Sequence, residues 1–238
     1  VTGVSCSLGL RCLASPRRGR LGNQLGAAGM LLAIVVTLSQ DGLEGYAWIA
    51  VAMAIGAAVG LVGARRVKMT AMPQMVALLN GFGGGSSLLV GLAEHLRADT
   101  ARASFAGRMA DAAGLAAAGV PDAGTAVATQ LGILVGGITL TGSIIAWAKL
   151  QEVLSGKPLV FAGQKPVNAL LGLAAIAIVA WLVGGDAPLW AMGLLALLAL
   201  VLGVTLVMPI GGADMPVVIS LLNSYSGIAA AMTGFAID

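Results

Sequence analysis

The sequence predicts an all-α fold: a polytopic bundle of transmembrane helices, with about eight spans in 238 residues. Three observations predict it. First, 58% of the residues are hydrophobic and only 10% are charged, whereas a soluble domain carries about 25% charged residues to cover its solvated surface. Second, long apolar runs recur along the chain, each close to the roughly 20 residues that a helix needs to cross a bilayer. Third, the chain holds 35 glycines, which are costly in a soluble helix but let membrane helices bring their backbones together. The mean hydropathy is +0.97.

The spans follow in order. Residues 1–14 read as the end of a helix whose beginning is missing; they lack a basic leader, and Arg11 interrupts the apolar run, so they are no signal peptide. Cys6 and Cys12 lie there without CxxC or metal spacing and read as two packed thiols. Further spans are expected at 22–39, 46–64, 73–95, 124–149, 166–184, 188–208 and 215–237. The connections are short except for 96–123. That stretch mixes Ala and Gly with Arg97, Asp99, Arg102, Arg108, Asp111 and Asp122, and is expected to be a solvated loop with room for a short interfacial helix. Pairs of small residues at Gly22/Gly26, Gly56/Gly60, Gly81/Gly85 and Gly132/Gly136 predict close helix packing.

Loop charges orient the bundle. If every span crosses, one side (side A) holds Arg11, Arg17, Arg18, Arg20, Arg65, Arg66, Lys68, Lys149, Lys157 and Lys165. Side B then holds only Arg97, Arg102 and Arg108, together with most of the acidic residues. The excess of Lys and Arg makes side A cytoplasmic, in a cell inner membrane. The formal net charge of +3 is no nucleic-acid footprint, because the basic residues are not gathered on a soluble face.

One internal repeat organises the polar residues. Residues 72–80 read MPQMVALLN and residues 215–223 read MPVVISLLN. Proline is tolerated in a first helical turn, where its missing N–H would be unpaired anyway. Asp214 stands in an N-cap-like place before the second copy, with Thr70 a looser candidate before the first. Each Asn lies roughly 10 Å inward from its Pro, about a third of the way through a hydrocarbon core of about 30 Å. An amide at that depth needs a hydrogen-bond partner and cannot face lipid cheaply. Asn80 and Asn223 are therefore expected to face each other or to line one polar path, joined by Ser86, Ser87, Ser224, Tyr225 and Ser226. A third polar span carries Gln130, Thr139, Thr141 and Ser143, whose hydroxyls can equally bond back to their own helix.

No Asp, Glu, Lys or Arg falls in the middle of a span. His95, the single histidine of the sequence, falls at the end of the fourth span and reads as interfacial, although histidine is the side-chain type suited to proton exchange near neutral pH. No Walker loop, dinucleotide fingerprint or metal cluster is present. The run Gly83-Gly84-Gly85 sits inside an apolar span, so it does not read as a phosphate loop.

The block Gly211-Gly212-Ala213-Asp214-Met215-Pro216-Val217-Val218, continuing through Leu222-Asn223-Ser224-Tyr225-Ser226-Gly227, resembles the β subunit of proton-translocating NAD(P) transhydrogenase. Lys68-Met69-Thr70-Ala71-Met72-Pro73, Gly137-Ile138-Thr139-Leu140-Thr141-Gly142-Ser143 and Arg20-Leu21-Gly22-Asn23 resemble the same family in order and spacing, nearly end to end. The resemblance implies a membrane domain that passes protons and couples their flow to hydride transfer from NADH to NADP+. It places NAD(H) and NADP(H) in soluble domains and no cofactor in this chain. A soluble NADP-binding domain is expected after residue 238. The implied partners are α subunits, including a membrane subunit, in a dimer of the full complex. Asn223 matches a residue of the family's proton path, and Ser143, Thr139 and Thr141 match residues of its central span; with Asn80, Ser224 and Tyr225 they are expected to form the path here, and Asp214 matches an acidic residue at the cytoplasmic mouth near the NADP(H) domain. Many relatives carry His where Asn80 stands. An amide cannot titrate, so a titratable group is expected from a partner membrane subunit. Two other readings use the same features. A secondary transporter would use internal repeats and mid-helix polar groups, but these repeats begin from one side and no charged substrate site is evident. A structural membrane subunit would not need a matched Asn pair.

Overall fold

The computed structural model describes residues 2–39, 45–111, 123–184 and 188–237. The described residues form helices and connecting turns, with no strand among them. The helices are α1 (Thr2–Leu13), α2 (Gly19–Leu38), α3 (Tyr46–Arg66), α4 (Met72–Asp111), α5 (Ala123–Leu150), α6 (Gln164–Gly184), α7 (Leu189–Val207) and α8 (Met215–Ile237). Seven of them, α2 to α8, are long and apolar enough to cross a membrane; α1 is shorter. The polytopic helical bundle predicted from composition is therefore the fold observed.

The chain divides into two compact units, Val1–Arg65 and Arg66–Asp238. In the first, α1 and α2 form a hairpin brought close at glycines. A Cβ at Gly22 would meet the Gly9 carbonyl oxygen at 2.7 Å. Ser5 Oγ donates to Leu25 O at 2.9 Å, and the half-buried Cys6 and Cys12 are free thiols. The helix α3 buries none of its residues. Nothing lies within 4 Å of Cβ positions built at Gly56 and Gly60, so that expected small-residue pair makes no contact here.

In the second unit α5 is the central post, packed by α4, α6, α7 and α8. It buries residues on most of its faces, polar ones such as Gln130, Thr139 and Ser143 among them. Its glycines let the neighbours in. A Cβ at Gly136 would meet Gly84 O at 2.7 Å, one at Gly137 would meet Ala199 Cβ at 2.7 Å, and one at Gly142 would meet Val207 Cγ2 at 3.1 Å. Two apolar clusters fill the unit. One gathers Ala77, Ala146, Val207, Met215, Val218, Ile219 and Leu222. The other gathers Leu88, Ile133, Ala175, Leu182, Ala191, Leu195 and Leu202. Trp181 and Trp190 meet edge to face, centroids 5.6 Å apart, where α6 gives way to α7; paired Trp at helix ends suits a membrane–water interface. The starts of α4, α6 and α8 and the ends of α5 and α7 share one end of this unit, called end A below, and the opposite end is end B.

Two expectations are revised. Residues 96–111, expected as a solvated loop with room for a short interfacial helix, continue α4 without a break. Ala, Arg and Met in that stretch are strong helix formers, so helix propagation continues past the last apolar turn. The rest of that stretch, 112–122, lies outside the described residues. Lys149, expected as a loop charge, is only 2% exposed. Its ammonium donates to Met208 O and Ile210 O, each at 2.6 Å. It thereby satisfies carbonyls left open at the end of α7.

Candidate functional site

The two copies of the repeat share one local geometry. Lys68 and Gly211 are extended, with φ/ψ of −74°/151° and −70°/152°. A three-residue 3-10 turn follows each, Met69–Ala71 and Gly212–Asp214, and then the Met-Pro helix begins. Met72 N–H bonds Met69 O and Met215 N–H bonds Gly212 O. The turn satisfies an orphan amide through the backbone. Thr70 and Asp214 therefore lie inside these turns, and both are exposed. Asp214 stands on a platform made by pairing loop 151–163 with loop 208–214, in which Gly212 N–H donates to Gly156 O at 2.8 Å and Leu159 N–H to Met208 O at 3.2 Å.

The two asparagines do not face each other. Asn80 is 6% exposed and turns toward α5, where its Nδ2 donates to Ser143 Oγ at 2.9 Å. Ser143 is fully buried. Asn80 Oδ1 is also buried and has no hydrogen-bond partner among the described residues. Asn223 lies on the exposed face of α8. It lines a groove between the two Met-Pro starts, about 350 Å³ in volume, with Met72, Pro73, Val76, Pro216, Ile219 and Ser220. The difference has a packing cause. The first repeat helix has the central post beside its Asn, whereas the second buries Met215, Val218, Ile219 and Leu222 and turns the next residue outward.

The remaining predicted residues divide by direction. Thr139 is fully buried one turn from Ser143, and its hydroxyl bonds back to Val135 O at 2.7 Å. Thr141 turns to another helix, donating to Leu200 O of α7 at 2.7 Å, and so leaves the Asn80 side. Ser224 is exposed and bonds back to Ser220 O at 3.3 Å. Tyr225 is half-buried against the cluster around Ala77 and Met215. Ser226 approaches α4; a Cβ at Gly83 would meet its Oγ at 3.1 Å.

The α4–α5 seam thus carries a polar pair near end A, followed by tight apolar contact. A Cβ at Gly84 would meet Gly136 O and Thr139 Cβ, each at 2.8 Å, and one at Gly91 would meet Ile133 Cγ1 at 2.7 Å. The seam is polar again near end B, where Gln130 Nε2 lies 2.9 Å from His95 Nδ1. His95, expected to be interfacial, is 7% exposed. Sequence reading placed it at a span end and so missed its burial; the Gln130 partner, 35 positions away on α5, carried no local signal.

Fold and site together define an all-helical membrane protein whose central seam holds buried amide and hydroxyl groups instead of charges. The model of the NAD(P) transhydrogenase beta subunit family matches residues 1–238, and the chain belongs to that family. It is similar to the NAD(P) transhydrogenase subunit beta of Rhodospirillum rubrum, 43% identical over 235 residues, covering 99% of this chain and 48% of that protein. The counterpart from a defined strain of the same species matches with the same figures. The chain therefore spans about half the length of the curated relatives it matches.

Proposed function

We propose that this chain is the proton-conducting membrane domain of an NAD(P) transhydrogenase, coupling proton flow to hydride transfer from NADH to NADP+ in soluble domains of the complex. The observation that carries the reading is the buried Asn80–Ser143 pair with the unpartnered Asn80 Oδ1. A buried carbonyl oxygen without a partner is costly unless it serves a transient one such as water or a hydronium. Thr139, Asn223, Ser224 and Tyr225 extend polar groups from this pair and from the neighbouring groove. Asp214, exposed at end A, is the contact toward the NADP(H)-binding domain, and end A is the cytoplasmic side.

The exposed Asn223 supports a partner. An amide facing lipid is expensive, and a helix of a membrane α subunit seated in the Pro73–Pro216 groove removes that cost. Neither Asn80 nor Asn223 titrates, so the proton-binding group beside them comes from that partner, in a complex that is dimeric as a whole.

The test uses the intact complex in sealed vesicles. Transhydrogenation should change the lumenal pH. Asn223→Leu, which disturbs no buried contact of this chain, should reduce proton movement and hydride turnover together. If both stay at the wild-type level, Asn223 is a surface residue without a part in conduction.

A further inference from the structure

We propose that His95 is a second proton-binding residue of this domain, held by Gln130 and exchanging protons with end B through the Glu94 side of α4. This rests on the proton-conduction reading and adds a titratable group that belongs to the chain itself.

The placement comes first. Ala77, Asn80, Gly84, Ser87, Gly91, His95 and Ala98 recur every three or four residues and form the buried face of α4. His95 lies about 22 Å beyond Asn80 along that helix, at about 1.5 Å per residue. The seam between them is closed by the Gly84–Gly136 backbone contact and by Ile133, which is fully buried under Gly91. The two polar sites therefore serve opposite ends, across a dry waist.

The chemistry follows from the pair. A carboxamide nitrogen only donates, so with Gln130 Nε2 placed 2.9 Å from His95 Nδ1 the ring nitrogen is the acceptor, the arrangement that suits a hydrogen on Nε2. Gln130 Oε1 is buried and has no hydrogen-bond partner among the described residues. A half-turn of the amide about its soft terminal torsion exchanges the two atoms. Gln130 then accepts from a protonated Nδ1–H. Uptake adds H+ to the Nδ1 lone pair to give imidazolium, release reverses it, and no other bond changes. One side chain thus supports both protonation states of the ring.

Access is local. A cavity of about 10 Å³ lies against the pair, lined by Glu94, Ala98, Ala126, Thr129 and Leu182; that is near the lower limit for one water. Among the described lining residues, Glu94 is the titratable group that faces it from α4. The lining residues on α5 and α6 are uncharged. Glu94 in turn pairs with Arg97 at 3.5 Å, and the Arg97 side chain is 79% exposed. Asp99 stands one turn beyond His95 on the same helix. Glu94 therefore links the cavity to the solvated end.

The experiment uses the intact complex in vesicles with a lumenal pH indicator. His95→Gln keeps an amide of similar reach beside Gln130 but cannot titrate. Proton movement should fall at least about tenfold, and turnover should lose its dependence on pH between about 5 and 8. An unchanged rate and profile overturns the role of His95 while leaving conduction through Asn80 standing. A wild-type complex that moves no protons overturns both. If His95→Gln does not assemble, Gln130→Leu decides. It keeps the ring and removes its partner, so a profile displaced by more than about half a pH unit supports the proposal and an unmoved one sinks it.

Discussion

Asn80 of α4 donates to the hydroxyl of Ser143 on α5 at 2.9 Å, with both residues buried. The bond joins the first repeat helix to the central post about 10 Å inside its proline. Ser143→Ala leaves the Asn80 NH2 group buried without that acceptor. Stability should fall by about 1–3 kcal/mol, read by denaturant titration in bicelles, and proton movement in vesicles should fall with it. Proton movement at the wild-type level would remove the pair from the path.

The waist of the seam depends on glycine at two facing positions. Gly84→Val puts its Cβ 2.8 Å from Gly136 O and Thr139 Cβ. Backbone atoms cannot yield, so α4 and α5 must separate, at a cost of about 3 kcal/mol or more. Gly172→Ala is the control. Nothing lies within 4 Å of its Cβ position, so stability should be unchanged or slightly higher, because Ala is the better helix former. Thermal unfolding in detergent separates the two outcomes.

Lys149 clamps the platform that carries Asp214. Lys149→Met keeps the apolar stem and removes the ammonium that bonds Met208 O and Ile210 O. The loss should be about 3 kcal/mol. Loop 208–214 should also exchange amide hydrogens faster, with Gly212 N–H among the first affected because its bond to Gly156 belongs to the same platform. Unaltered exchange in that loop would show that loop-to-loop pairing alone holds it.

Thr141 and Thr139 differ in what they touch. Thr141→Val removes a hydrogen bond to Leu200 O of α7. It should cost about 1 kcal/mol of stability and leave proton movement per hydride unchanged. A selective loss of proton movement would put Thr141 back on the path.

Asn223 offers a direct test of the partner groove. A thiol-reactive photo-cross-linker on Asn223→Cys, with Cys6 and Cys12 replaced by Ser, should join this chain to a membrane α subunit in the assembled complex, seen as a heavier band by electrophoresis. Cross-linking only between copies of this chain would assign the groove to self-association.

The bundle itself was legible in the sequence, because a span must satisfy every backbone group internally and must be apolar for about 20 residues, and both demands are local. The Met-Pro repeat and its helix starts were legible for the same reason, whereas the 3-10 turn before each stands where caps at Thr70 and Asp214 were expected. Tertiary structure decided where each polar side chain turned. It set Asn80 inward against Ser143 and Asn223 outward. It sent Thr141 to α7, and it placed Lys149 under the loops and His95 against Gln130. These outcomes depend on which helix lies beside each face, and glycine contacts such as Gly84–Gly136 settle that through atoms far apart in the chain. Periodicity along one helix records that a face is buried; only the packed neighbour supplies the partner atom.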